Sequence, residues 1–216
     1  MSRRIRGKGS YIRGELVFTT IDTLAPITLP AVANFHCEYS RIKTIFVSTE
    51  QLLTLTYGET HLALWPGLEP EIFNTISIEC EFLRFGLFAS GKYIEQYGVP
   101  KSIKDFKDHY FVCHNDQSKS HLRKWEQENI PSSRIALAAG TPSILHEGVL
   151  NGIGIGFVDL VVSKRHPSLV DVLAPKKDRW EVPLRLIIHE DVYNSDKIQA
   201  FLKMVEMTLN FWPATI

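Results

Sequence analysis

TPSILHEGVLNGIGIGFVDL, residues 141–160, carries three glycines at alternate positions, Gly152, Gly154 and Gly156, and its reading decides the fold. A dinucleotide-binding loop runs strand, glycine turn, helix, with the phosphate on the helix N-terminus. Here the order is reversed. Thr141 suits an N-cap and Pro142 the first helical position. Ile144, Leu145, Val149 and Leu150 then recur at helical spacing. Gly152 falls where a helix ends in a left-handed residue. Ile153, Ile155, Phe157 and Val158 follow as a buried strand, in which Gly154 and Gly156 allow another element to approach closely. The third glycine is also out of place for GxGxxG. The glycines are structural, and the chemically interesting end of the unit is Thr141.

The surrounding 216 residues are 44% hydrophobic and 22% charged, as in an ordinary soluble globular protein. Lys+Arg and Asp+Glu both number 24, which argues against a surface devoted to nucleic acid. The one basic cluster, SRRIRGKGSYIRG at 2–14, reads as a solvated tail. No signal-peptide core and no apolar run of membrane-spanning length are visible, so a cytoplasmic location without membrane contact is expected. Cys37, Cys80 and Cys113 are odd in number and widely spaced, which fits reduced thiols packed as small hydrophobes.

Working outward, ELVFTTI (15–21), IKTIFVS (42–48) and HLALWPG (61–67) read as strands. Asp22 and Thr23 offer N-caps for a helix through LAPITLPAVANFHCEY, which Pro30 must bend or rob of a hydrogen bond, and Ser48 and Thr49 for a helix through EQLLTLTYG. SIECEFLRFGLFAS (77–90) is a long extended stretch, followed by helices GKYIEQYG and IKDFKD and the strand YFVCHN. HLRKWEQENI has an ambiguous period. RIALAAG (134–140), LVDVLAP and VPLRLIIHED (182–191) are further strands. Ile198, Phe201, Leu202, Val205 and Leu209 mark a C-terminal amphipathic helix. Alternating strands and helices predict an α/β fold with a mainly parallel sheet. The strands near 80–90 and 182–190 are the candidates for crossings between two lobes.

Thr23, Ser48 with Thr49, Ser90, and Thr141 with Ser143 repeat one pattern, a hydroxyl at a strand end before a helix. Ligands of open α/β sheets collect at the carboxyl ends of strands, where helix N-termini present free N–H groups to anions. Any one of these hydroxyls alone reads as an ordinary cap; together they point to a site for a small polar or anionic molecule.

The pattern GELVFTTIDTLAPITLP, YGETHLALWPG, LFASGKYIEQYGVPKSIKDFKDH, GVLNGIGIGFV and LRLIIHEDVYNSDKIQAFL resembles the effector-binding domain of LysR-type transcriptional regulators, in order and spacing, from residue 14 to about 206. The resemblance implies two Rossmann-like lobes similar to type 2 periplasmic binding proteins, with an effector in the cleft. It implies lobe I at 14–84 and 186–216, lobe II at 85–185, and residues 1–13 as the end of a linker, the winged helix-turn-helix before it being absent. Thr23 and Ser48 match effector-contacting positions of family members; the stretch Gly140 to Ser143 lines the opposite wall. The set of expected effector contacts is Thr23, Ser48, Thr49, Trp65, Ser90, Gly140, Thr141 and Ser143. Two positions depart from the family. His61 stands where an acidic residue is usual, and Trp65 where an arginine often follows the strand. The resemblance further implies a homodimer, tetrameric in full-length members, in which helix 24–36 and strand 42–47 meet 143–158 of the partner. No specific DNA binding is expected of this chain alone.

An enzyme on the same fold and a stand-alone solute-binding protein are the alternatives. No GxSxG, HExxH or P-loop occurs, so no catalytic residue is assigned, and no cofactor. His109, His114 and His121 lie close in sequence, but their spacing matches no strong ligand pattern and no metal is expected.

Overall fold

The computed structural model describes residues 12–49, 60–69, 71–118, 120–173 and 180–209. The helix expected at EQLLTLTYG and most of the basic start lie outside them. Strands β1 (Gly14–Thr20), β2 (Ile42–Ser48), β3 (Leu62–Pro66) and β4 (Thr75–Ser90) come first, with helix α1 (Ala25–Glu38) between β1 and β2. Then follow α2 (Gly91–Tyr97), β5 (Phe111–His114), α3 (Leu122–Asn129), β6 (Ile135–Ala139), α4 (Pro142–Leu150), β7 (Ile155–Asp159) and α5 (Leu160–Arg165). The chain closes with β8 (Leu169–Leu173), β9 (Glu181–His189), α6 (Glu190–Tyr193) and α7 (Asp196–Leu209). The fold is α/β. It divides into two compact units, one of residues 1–82 and 183–216, the other of residues 83–182.

In the first unit β1 pairs in parallel with β2 and with β3, and β3 pairs antiparallel with β9. Alternation along these strands sends Leu16, Phe18, Leu62, Leu64, Leu184 and Leu186 into the core, each no more than 1% exposed. Phe18, Phe35 of α1 and Phe201 of α7 meet edge to face with centroids 5.1–5.2 Å apart, which joins sheet and helices. Pro30 lies inside α1, as the sequence requires.

In the second unit β5 pairs in parallel with β6 and β7, while β4 runs antiparallel to β7 and β8. Each unit thus has a parallel centre with antiparallel strands beside it, more mixed than the strand-helix alternation predicts. The reason is that β4 and β9 each run on through both units against the direction of their neighbours. HLRKWEQENI resolves as the helix α3, anchored by buried Leu122 and Glu126. IKDFKD is a 3-10 turn with a capping box from Ser102 and Asp105.

The opening stretch folds as read. Pro142 begins α4, Gly152 takes φ +78° and β7 follows. A Cβ on Gly154 would lie 2.7 Å from the Tyr110 carbonyl oxygen, and one on Gly156 2.8 Å from that of Val112. Both glycines let β5 lie against β7. Of the thiols, Cys113 is buried and Cys80 half-buried, but Cys37 is exposed on α1, not packed as expected.

Candidate functional site

The first unit gathers its expected residues at the carboxyl ends of β1, β2 and β3. Thr20 and Ser48 are register partners, and the Thr49 N–H donates to the Thr20 carbonyl at 3.1 Å. The Thr20 hydroxyl donates to the Leu64 carbonyl at 2.7 Å, and Thr19 and Thr60 share a hydroxyl contact at 3.3 Å. This ties the three strand ends together. Thr23 is not an N-cap. The chain makes a 3-10 turn at Asp22–Leu24, closed by the Leu24 N–H on the Ile21 carbonyl, and α1 starts behind Leu24 with no side-chain cap. Thr23 as a residue is buried, and its side chain does not cap α1.

Trp65 is half-buried against Ala63 and Ile187, directly opposite Arg185 of β9. Arg185 Nη2 donates to Glu79 Oε2 at 2.6 Å, while its Nε is buried and has no hydrogen-bond partner among the described residues. The sequence reading missed Arg185, because the pairing of β3 with β9 is not visible in either strand by itself.

His61 shows how its departure is accommodated. Its Nδ1 accepts the Val17 N–H at 2.7 Å, and Lys197 Nζ lies 3.5 Å from Nε2. Burial, then the Lys197 charge, lowers the imidazole pKa, partly countered by Glu15. A neutral ring accepts the N–H that a carboxylate in this place would accept.

In the second unit the carboxyl ends of β5 and β6 come together. The Asn115 N–H donates to the Ala139 carbonyl at 3.0 Å, and the Asn115 side chain lies against Gly140. Thr141 is extended, at φ −85° and ψ 119°, as an N-cap should be, but its side chain caps nothing. Its carbonyl accepts the N–H groups of Ile144 and Leu145, and Ser143 sits half-buried in the first turn of α4. His114 is fixed by Glu126, whose Oε1 lies 2.9 Å from Nδ1 and whose Oε2 accepts the His114 N–H at 2.9 Å. Beside them runs a groove of about 780 Å³ lined by His114, Asn115, Arg123, Glu126, Asn129 and Ala138, among others.

Ser90 does not join this group. Its hydroxyl accepts the Tyr93 N–H at 3.3 Å and so caps α2. Because β4 is antiparallel to β7, Ser90 sits at the other edge of the sheet, beside Gly152. From Thr141 that is the length of α4, about 13 Å at 1.5 Å per residue.

Asp159, at the carboxyl end of β7, was also missed. It is 1% exposed; its Oδ1 caps α5 by accepting the N–H groups of Val161 and Val162, and its Oδ2 lies 3.7 Å from His146 Nε2. Burial pushes its pKa up to about 6 against the pull of those N–H groups. Among the described residues no cluster of His, Cys, Asp and Glu could hold a metal ion. No helix there is long and apolar enough to cross a membrane.

The sequence pattern of the LysR substrate binding domain matches residues 9–209, nearly the whole chain. The chain belongs to this family. A curated relative from Xanthomonas campestris pv. campestris (strain 8004), an HTH-type transcriptional regulator, is 26% identical over 210 residues. That alignment covers 92% of this chain and 60% of the relative, so the LysR domain spans about three fifths of the regulator it matches. The regulatory domain of CrgA, a LysR-type transcriptional regulator from Neisseria meningitidis, superposes with TM-score 0.77 at 22% identity, covering 92% of this chain and 100% of that one. The regulatory domain of AphB from Vibrio vulnificus superposes with TM-score 0.67 at 17% identity, covering 90% and 98%. These likenesses show that the LysR domain has the fold of these regulatory domains, the periplasmic-binding-protein-like architecture that the sequence resemblance implies.

Proposed function

We propose that this LysR domain senses a small polar or anionic metabolite for a transcription regulator. It works by binding, not catalysis, and in the cytoplasm. The effector contacts are Thr23, Ser48, Thr49 and Trp65 of the first unit and Gly140, Thr141 and Ser143 of the second. Ser90 is left out, since it lies at the wrong edge of its sheet and its hydroxyl already caps α2. A homodimer, tetrameric in the full-length regulator, would carry the signal, and DNA contact belongs to a helix-turn-helix outside this domain.

One observation carries the reading. Thr23 and Thr141 stand at carboxyl ends of parallel strands, yet neither side chain caps the helix that follows. The plain helix-cap explanation therefore fails for both. A ligand oxygen or nitrogen supplies a partner.

The test is a thermal-shift screen of small metabolites followed by calorimetry. A ligand at 100 times its dissociation constant adds about 2.7 kcal/mol, an easily read shift. Thr23→Val keeps the shape and removes the hydroxyl, which leaves a ligand group unpaired at about 1–3 kcal/mol, a tenfold to hundredfold loss of affinity. Ser48→Ala is expected to weaken binding in the same sense. Unchanged affinity in both variants would place the site elsewhere.

A further inference from the structure

We infer that Arg185 is the anion-recognising residue of the first unit, and that Glu79 occupies its guanidinium until a carboxylate or phosphate group of the effector replaces it. The inference rests on the effector-site reading above and adds the chemical class of the ligand.

Three observations place Arg185 at that site. Strand register runs from Ser48 to its partner Thr20, from the Thr20 hydroxyl to the Leu64 carbonyl, and from Trp65, the next residue of β3, to Arg185 opposite. Arg185 therefore stands at the same edge of the sheet as the expected contacts. Directly opposed residues of an antiparallel pair project from the same face. Arg185 and Trp65 thus share the face of Ala63 and Ile187, away from the core that Leu64, Leu184 and Leu186 fill. Trp65 has a guanidinium across the ladder from it.

The second argument is the state of the guanidinium. Its five N–H donors form a fork that fits a carboxylate or phosphate with two parallel hydrogen bonds. Only the bond from Nη2 to Glu79 is made to the described residues, and Nε, on the other tine, is buried with no acceptor among them. The side chain is 15% exposed and that of Glu79 is 48% exposed. A sheltered cation therefore holds a half-solvated carboxylate by one prong. An exposed carboxylate returns to water easily, whereas a buried N–H without an acceptor is costly. Exchange of Glu79 for a ligand anion that engages both Nε and Nη2 satisfies the fork.

The experiment uses the whole chain with four named probes, inorganic phosphate, succinate, benzoate and the neutral benzamide, at matched ionic strength. Melting temperature and the ¹⁵N spectrum of arginine Nε–H groups are followed together. At least one anionic probe should raise the melting temperature and shift the Arg185 Nε–H resonance, while benzamide does neither. Arg185→Gln should abolish the response, and Glu79→Gln, which removes the competing charge and keeps the fold around Arg185, should lower the half-saturating concentration about tenfold. An anion response that survives in Arg185→Gln, a Glu79→Gln titration identical to wild type, or no response to any anionic probe would overturn the inference. Thr23→Val separates it from the reading it rests on. Anion binding that needs Arg185 but is indifferent to Thr23 and Ser48 keeps the anion site and removes the effector contacts proposed above. Binding that needs Thr23 and not Arg185 does the reverse.

Discussion

Adding one methyl group at Gly154 should damage the second unit more than any exposed substitution can. The new Cβ would stand 2.7, 2.8 and 2.9 Å from the Tyr110 oxygen, the Tyr110 carbonyl carbon and the Phe111 nitrogen. All three are backbone atoms, so no side-chain rotation relieves the contact. β5 would have to retreat from β7, yet it is held on its other side by β6. The Ile155 N–H bond to the Tyr110 carbonyl, 2.9 Å long, would stretch first. Overpacking of this kind costs about 1–3 kcal/mol, and a weakened hydrogen bond adds about 1 kcal/mol. A loss near 3 kcal/mol lowers the melting temperature by about 6–12 °C in a chain of this size. Guanidinium unfolding is the assay, read by near-ultraviolet dichroism of the packed Trp125, Phe157 and Trp180. Gly98→Ala is the control: φ is +75° but nothing lies within 4 Å, so it bears backbone strain without a clash. If Gly154→Ala stays within about 0.5 kcal/mol of wild type, a change typical of harmless surface substitutions, the close approach of β5 to β7 is wrong.

Asp159→Asn should stabilise the protein at pH 7 and flatten its pH dependence. The folded pKa, about 6, lies above the ordinary value of 3.8, so the folded state holds the proton more tightly. The carboxyl's contribution is therefore full below pH 4 and is lost as the pH rises through 6, roughly 2–3 kcal/mol in all. Denaturation series at pH 4.5 and pH 7 for both proteins check the sign; a wild type whose stability rises over that interval more than the variant's counts against it. The thiols should react in the order of their exposure with an aromatic disulfide reagent. Cys37 labels first and Cys80 slowly, while Cys113, whose pKa burial drives far up, labels only on unfolding. Modification of Cys113 in the folded protein at the rate of Cys37 would contradict its burial.

Much of this fold is legible because its signals are local. The alternation in β1 and β3, the glycines before and within β7 and the spacing of Ile198, Phe201, Leu202 and Val205 each need only a few neighbours to be read. What was misread or missed depends on distant partners. Thr23 carries the composition of a cap, but a 3-10 turn that closes on Ile21 displaces the start of α1. Ser90 has the right chemistry and the wrong edge, since direction within a sheet comes from pairing. Arg185 and Asp159 look like an ordinary strand residue and an ordinary cap. Their significance comes from one buried atom in each, Nε and Oδ2, that makes no hydrogen bond to the described residues, which only packing reveals.

The two units have unequal histories along the chain. The second is one continuous segment, residues 83–182, whereas the first is assembled from both ends. As the chain leaves the ribosome, the second unit can collapse as soon as it is complete. β1 and β3 meanwhile wait for β9, which alone supplies the ladder from Leu62 to Pro66 with its antiparallel partner, and for α7 with Phe201. Contacts so remote in sequence form slowly, since the loop must close before they reward it. The first unit, including Thr23, Ser48 and the register that sets Arg185 opposite Trp65, is therefore the last part of the molecule to exist. The edge of the sheet that holds Thr20, Ser48 and Arg185 is complete only after β9 and α7 have been made.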